Sequence, residues 1–134
     1  MALTRIQTDA IKDAITTSNI LDGTILPADI NTTNDFTFNT VRVGKGASAI
    51  SSNTAVGSSA LTSNTIGTSN TAVGESALSL NTTGNNNQAF GRGALSSNVD
   101  GGQNIAVGRL ALGSNTSGSS NTAIGHTALT SKDR

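Results

Sequence analysis

The sequence predicts an all-β fold, a β-solenoid or β-roll built from 17-residue coils, on three observations. One residue frame recurs along the chain at a fixed interval. The large aromatic side chains that usually anchor a core are nearly absent, with three Phe and no Trp or Tyr in 134 residues. The repeating unit is dense in Gly and Asn, poor in helix formers and too short for a helical hairpin. Small side chains bury little apolar area each, at roughly 25 cal/mol per Å². A compact monomer of this composition struggles to offset its conformational entropy, whereas a regular stack gains burial from neighbouring coils and neighbouring chains.

Residues 1–35 read as an N-terminal attachment and trimerisation segment, helical or extended. Ala10, Ile11, Ala14 and Ile15 fall at helical spacing, with Thr8 or Asp9 placed to cap a short amphipathic helix over 3–15. Ile15, Ile20, Ile25 and Ile30 then recur every five residues, a period that matches neither helix nor strand. Asp22-Gly23 marks a turn and Pro27 bars helix continuation. Such a segment cannot form a core alone, so three copies are expected to wrap a common axis or to dock on a larger assembly. Residues 36–52 read as a capping strand and a degenerate repeat. The stretch Phe36-Thr-Phe38-Asn-Thr-Val41-Arg-Val43 alternates and predicts a strand. Val43-Gly44, followed by Ala47, reads as the degenerate first repeat.

Residues 53–134 carry the tandem repeats. Asn53, Asn70, Asn87, Asn104 and Asn121 are each 17 residues apart. Ala lies two residues after each, followed by an apolar residue (Val56, Val73, Phe90, Val107, Ile124) and then by Gly57, Gly74, Gly91, Gly108 or Gly125. Ala60-Leu61 and its counterparts come next, then a second Asn (Asn64, Asn81, Asn98, Asn115) and a second Gly (Gly67, Gly84, Gly101, Gly118). There are four full copies and a shortened fifth, a regularity that mere compositional bias does not keep. Asn-Thr-Ala-Val-Gly reads as a short strand ending in a Gly corner. Ala-Leu-x-x-Asn reads as a second short segment, and Thr-x-Gly-x-x as a polar turn. Gly and Asn tolerate the positive φ that tight corners demand, and repeated Asn can stack as an amide ladder. At the strand spacing of about 4.8 Å, five coils rise about 24 Å. The recurring Ala, Val and Leu are expected to point inward or toward another chain.

The formal net charge is zero, with two basic and five acidic residues over 1–35 and six basic and three acidic beyond. Neither part has the basic density of a nucleic-acid binder. With no Cys there is no disulfide framework and no thiolate metal site. The start lacks a basic n-region followed by an apolar h-region. No apolar run approaches the ~20 residues that span a bilayer. The expectation is a chain made in the cytosol without membrane insertion. Nearly all charge within the repeats sits in one column, Ser58, Glu75, Arg92, Arg109 and His126, read as a solvent-facing corner. Arg92, Arg109 and His126 are the candidate surface contacts. The two arginines are spaced to meet a phosphate or sulfated glycan, though a solvated corner with Glu75 offsetting Arg92 is favoured, as is a solvated imidazole for His126.

No catalytic residue, metal site or cofactor is expected. One His and acids concentrated in the N-terminal third do not supply convergent titratable groups. Asp22-Gly23 and Asp100-Gly101 lack the acid density of a calcium loop. A depolymerase would need paired carboxylates, and the repeats offer Glu75 and Asp100 at different corners. Thr54, Thr71 and Thr122 form a column that Gln88 and Ile105 interrupt, which counts against a flat ice-binding face.

Tandem Asn-x-Ala-[Val/Ile]-Gly resembles the head repeats of YadA-like trimeric autotransporter adhesins, which implies a parallel β-roll in a tight homotrimer. The longer unit Asn-Thr-Ala-Val-Gly-x-x-Ala-Leu-x-x-Asn-Thr-x-Gly resembles the repeats of phage tail-fibre and capsid-fibre proteins more closely. Ile20-Leu-Asp-Gly-Thr-Ile25-Leu-Pro-Ala-Asp-Ile30 is similar to N-terminal segments of phage fibres. The resemblance covers residues 20–30 loosely and 53–134 well. It implies a homotrimeric fibre of the virion, assembled in the host cytoplasm, with residues 1–45 held by other virion proteins and the repeats projecting toward host surface glycans. The adhesin pattern also includes a signal peptide, a coiled-coil stalk and a membrane anchor, none of which is expected here. The alternatives are a fragment of an adhesin head and a glycan- or ice-binding solenoid.

Overall fold

The computed structural model describes residues 36–38 and 41–130. The expected helix over 3–15 and the five-residue Ile spacing lie outside the described residues. Seven strands form one sheet in chain order: β1 (Phe36–Phe38), β2 (Val41–Gly44), β3 (Thr54–Val56), β4 (Thr71–Val73), β5 (Gln88–Phe90), β6 (Ile105–Val107) and β7 (Thr122–Ile124). Strands β3 to β7 run parallel, and each residue pairs with its counterpart 17 positions on, as in Thr54↔Thr71, Ala55↔Ala72 and Val56↔Val73. The same register continues through β5, β6 and β7. The sequence period is therefore the coil length, and the repeats form a β-solenoid of about four turns. The described helical content is one short 3-10 turn, Ala47–Ala49.

Each coil turns around a very narrow interior. Ala55, Ala60 and Leu61 are fully buried, as are Ala72, Ala77 and Leu78 and the later counterparts Ala89, Ala94 and Leu95. Two Ala and one Leu fill the space inside a coil, which explains how the chain dispenses with a bulky aromatic core. Close approach between coils explains the first Gly column. A Cβ built on Gly57 would lie 2.8 Å from the carbonyl carbon of Gly74, and its φ of +122° disfavours any side chain.

The two Asn columns are interior hydrogen-bond ladders. Oδ1 of Asn53 accepts the backbone N–H of Asn70 at 2.9 Å, and Oδ1 of Asn70 accepts that of Asn87 at 2.9 Å. In the second column Nδ2 of Asn81 donates to Oδ1 of Asn64 at 3.0 Å and Nδ2 of Asn98 to Oδ1 of Asn81 at 2.8 Å. The ladders meet at the second Gly column, where the Gly84 carbonyl accepts from Nδ2 of both Asn70 and Asn81, at 2.8 and 3.0 Å. A Cβ at Gly84 would strike Asn81 Oδ1 and the Gly101 carbonyl. This Gly is set by packing rather than by φ.

Positive φ falls elsewhere than the corner rule implies. In each coil it occurs at the Ser59, Leu61 and Ser69 positions and their counterparts, with Leu61, Leu78, Leu95 and Leu112 at 50–51°. A left-handed Leu costs roughly 1–2 kcal/mol. It turns the side chain into the core and aims the Leu61 N–H at the Ala77 carbonyl, 3.1 Å away on the next coil. The Ala-Leu-x-x-Asn stretch is accordingly a run of turns bonded coil to coil, and each coil contributes one strand.

The alternating stretch 36–43 is two strands rather than one. β1 pairs antiparallel with β2 (Phe36↔Val43, Thr37↔Arg42, Phe38↔Val41). Alternation specifies which residues share a face and not whether the chain turns back, and a connection this short favours a hairpin. β2 then pairs antiparallel with β3, Val43↔Val56 and Gly44↔Ala55. The first repeat coil is thus covered by a strand running opposite to the stack.

Candidate interaction face

Successive strand residues point to opposite sides of a sheet. Ala55, Ala72, Ala89, Ala106 and Ala123 point inward and are buried, so the residues flanking each of them face out. They form two columns along the stack. One is mixed: Thr54, Thr71, Gln88, Ile105, Thr122. The other is apolar throughout: Val56, Val73, Phe90, Val107, Ile124. Val56 and Val73 are half-buried, while Phe90, Val107 and Ile124 are 40%, 37% and 72% exposed.

β2 extends the apolar column. Its register sets Val43 opposite Val56, and both Val43 and Val41 are exposed. Ile105 of the neighbouring column, also exposed, widens the stripe beside Phe90 and Val107. One apolar residue per coil, about 4.8 Å apart, thus presents a continuous ridge to water. Contiguous exposed apolar surface of this kind marks interaction sites.

The charged column occupies the exposed corner after the first Gly. Arg92 Nε donates to Glu75 Oε2 at 3.0 Å, with both side chains more than half exposed. Arg109 Nη1 donates to His126 Nε2 at 3.0 Å, which leaves the ring proton on Nδ1. Arg92 and Arg109 are neighbours in the column, yet their printed pairs point opposite ways, one toward coil two and the other toward coil five. Each is a surface pair of small energetic weight.

The structure places Asn53, Asn70, Asn87, Asn104 and Asn121 in the interior ladder and Gly57, Gly74, Gly91, Gly108 and Gly125 at the corner before the charged column. Arg92, Arg109 and His126 lie at the exposed corner. None of the three lies on the strand that carries the apolar ridge. That ridge was not among the candidate surface residues, although the signal was present: once Ala is fixed inward, the residue after it must face out. Apolar character says that a residue is covered but not by what. Arg42 was also missed. Its Nη2 donates to the Ala60 carbonyl of the first coil, a contact that no local pattern announces.

Among the described residues, no three His, Cys, Asp or Glu side chains gather as a metal-binding group. No helix among them is long and apolar enough to cross a membrane. No protein-family model matches the chain, and neither a curated protein nor a solved structure does.

Proposed function

We propose that the chain is a structural subunit of a bacteriophage tail or capsid fibre. Three parallel copies pack through the apolar ridge of β2 to β7. Residues 1–45 join other virion proteins, and the coils project outward to meet the host surface. The observation that carries this reading is the ridge Val43-Val56-Val73-Phe90-Val107-Ile124, which a lone chain leaves largely wet. Sister copies in register would set each apolar side chain against its counterparts and remove the ridge from water. The resemblance of the repeat unit to trimeric fibre repeats supplies the number three and the virion setting. Arg92 and Arg109 at the outer corner remain free of that seam and available to anionic host glycans.

Light scattering on the purified protein tests the assembly. The expected mass is three chains of 13.4 kDa, and a single-chain mass at micromolar concentration contradicts it. Antibodies raised against residues 53–130 test the setting. They are expected to decorate projecting fibres on phage particles from the same genome, and labelling of cells without labelling of particles would move the protein to the adhesin alternative.

A further inference from the structure

Each coil has two edges, and they differ at the two ends of the stack. Toward the preceding coil, coil two offers the N–H groups of Gly74, Ser76 and Asn86 to the carbonyls of Val56, Ser58 and Thr68. It also offers Asn70 N–H to Asn53 Oδ1 and accepts at the carbonyls of Asn70, Ala77, Ser79 and Thr82. Coil one has no preceding repeat, and a non-repetitive segment meets its counterpart groups. Gly57 N–H donates to the Arg42 carbonyl at 2.8 Å and Asn53 N–H to the Ile50 carbonyl at 3.0 Å. Ser69 N–H donates to Ser52 Oγ at 3.0 Å, and the Ala60 carbonyl accepts from Arg42 Nη2. Ala47 N–H to the Leu61 carbonyl at 2.9 Å and Ser48 Oγ to the Asn64 carbonyl at 3.0 Å close the far side.

Coil five is different. The N–H groups of Thr122 and Leu129 and the carbonyls of Ile124 and His126 make no hydrogen bond among the described residues, although their counterparts bond in every earlier coil. Leu129 is 58% exposed, against 4% for Leu112. The free edge of coil five is complementary to the edge that coil one would present without its cover, because both carry the repeat frame in the same register.

We propose that residues 41–52 are an end cap whose role is to keep coil one from receiving coil five of a second copy. Intact chains do not join end to end, and uncapped chains do. A head-to-tail contact of this kind does not close on itself and grows into filaments. An exposed strand edge is a template for such addition. The inference is independent of the number of copies that pack side by side.

The test uses the full chain with Arg42→Ala and Gly46→Val. The first removes the guanidinium donor to Ala60. The second places a side chain against the Leu61 carbonyl, 2.8 Å from a Cβ at that position, where φ is +76°. The wild type is expected to show one rod length in electron micrographs and one mass at all concentrations. The double variant is expected to lengthen at constant width, its mean mass rising about twofold or more over a tenfold concentration range. Adding Gly125→Ala is expected to restore a single length. A Cβ there meets nothing nearer than Ala128 Cβ at 3.9 Å within the chain, whereas at Gly108 it would lie 2.6 Å from the carbonyl carbon of the onward Gly. Hydrogen exchange on the wild type supplies an arm that needs no altered cap: amides of Asn53, Gly57 and Ser69 are expected to be protected, and those of Thr122 and Leu129 to exchange at least about tenfold faster. A double variant with wild-type circular dichroism whose mass ignores concentration overturns the proposal. So does growth that survives Gly125→Ala, and so do equal exchange rates at the two ends. A wild-type mass of one chain would sink the trimer reading and leave this result untouched, since length reads the cap and width reads the lateral packing.

Discussion

Asn98 shows what the repeat demands of a single side chain. It is fully buried. Its Nδ2 donates to Asn81 Oδ1 at 2.8 Å and to the Gly101 carbonyl at 2.9 Å, while its Oδ1 accepts from Asn115 at 2.9 Å. Asn98→Ala strands buried partners on both neighbouring coils and is expected to cost about 2–3 kcal/mol in urea unfolding. Asn98→Asp is expected to cost more, because a buried carboxylate faces two oxygens it cannot donate to. Gly84→Ala belongs with these. Its Cβ would press on Asn81 Oδ1 and a backbone carbonyl of the next coil, neither of which can retreat, and about 2–3 kcal/mol of destabilisation is expected. The stacked Asn was legible from spacing alone. The left-handed Leu was not, since backbone preference assigns that region to Gly and Asn. At Leu61, Leu78 and Leu95 the gain from filling the coil interior outweighs the preference, and only the closed coil reveals that.

At the scale of one element, a three-residue strand divides its labour by alternation. In β6, Ala106 packs inward while Ile105 and Val107 face out. Two substitutions on this strand therefore separate folding from association. Ala106→Asp places a charge in an interior with room for Ala and is expected to abolish the β-sheet circular dichroism signal. Val107→Asp changes a partly exposed side chain and is expected to leave single-chain stability within about 0.5 kcal/mol, while light scattering shows the assembly dissociating. Equal loss of fold in both variants would argue against the outward ridge. The repeat strands were readable because their period was fixed over five copies. The single strand per coil was not, because the Ala-Leu-x-x-Asn stretch bonds from coil to coil as a strand does while its φ values are those of turns. The hairpin of β1 and β2 was hidden for a related reason, since strand alternation is the same in either chain direction.

Across the whole stack, the physical economy is that of a one-dimensional array. Each coil buries two Ala and a Leu, too little to stand alone, and is stabilised by its neighbours. That economy was legible in a composition with three Phe and no Trp or Tyr. The two ends and the outer ridge were not, because an edge is defined by what lies beside it. The most direct measurement uses the absence of Cys from the chain, which makes an introduced thiol the only one. Packing of sister copies in register brings the Val73 positions of different chains together, within the roughly 4.4–6.8 Å Cα separation a disulfide requires. Under mild oxidation, Val73→Cys is expected to give linked chains on a denaturing gel, and Glu75→Cys, at the outer corner, single chains. Single chains from Val73→Cys, or equal linkage at the two positions, would contradict packing through the ridge.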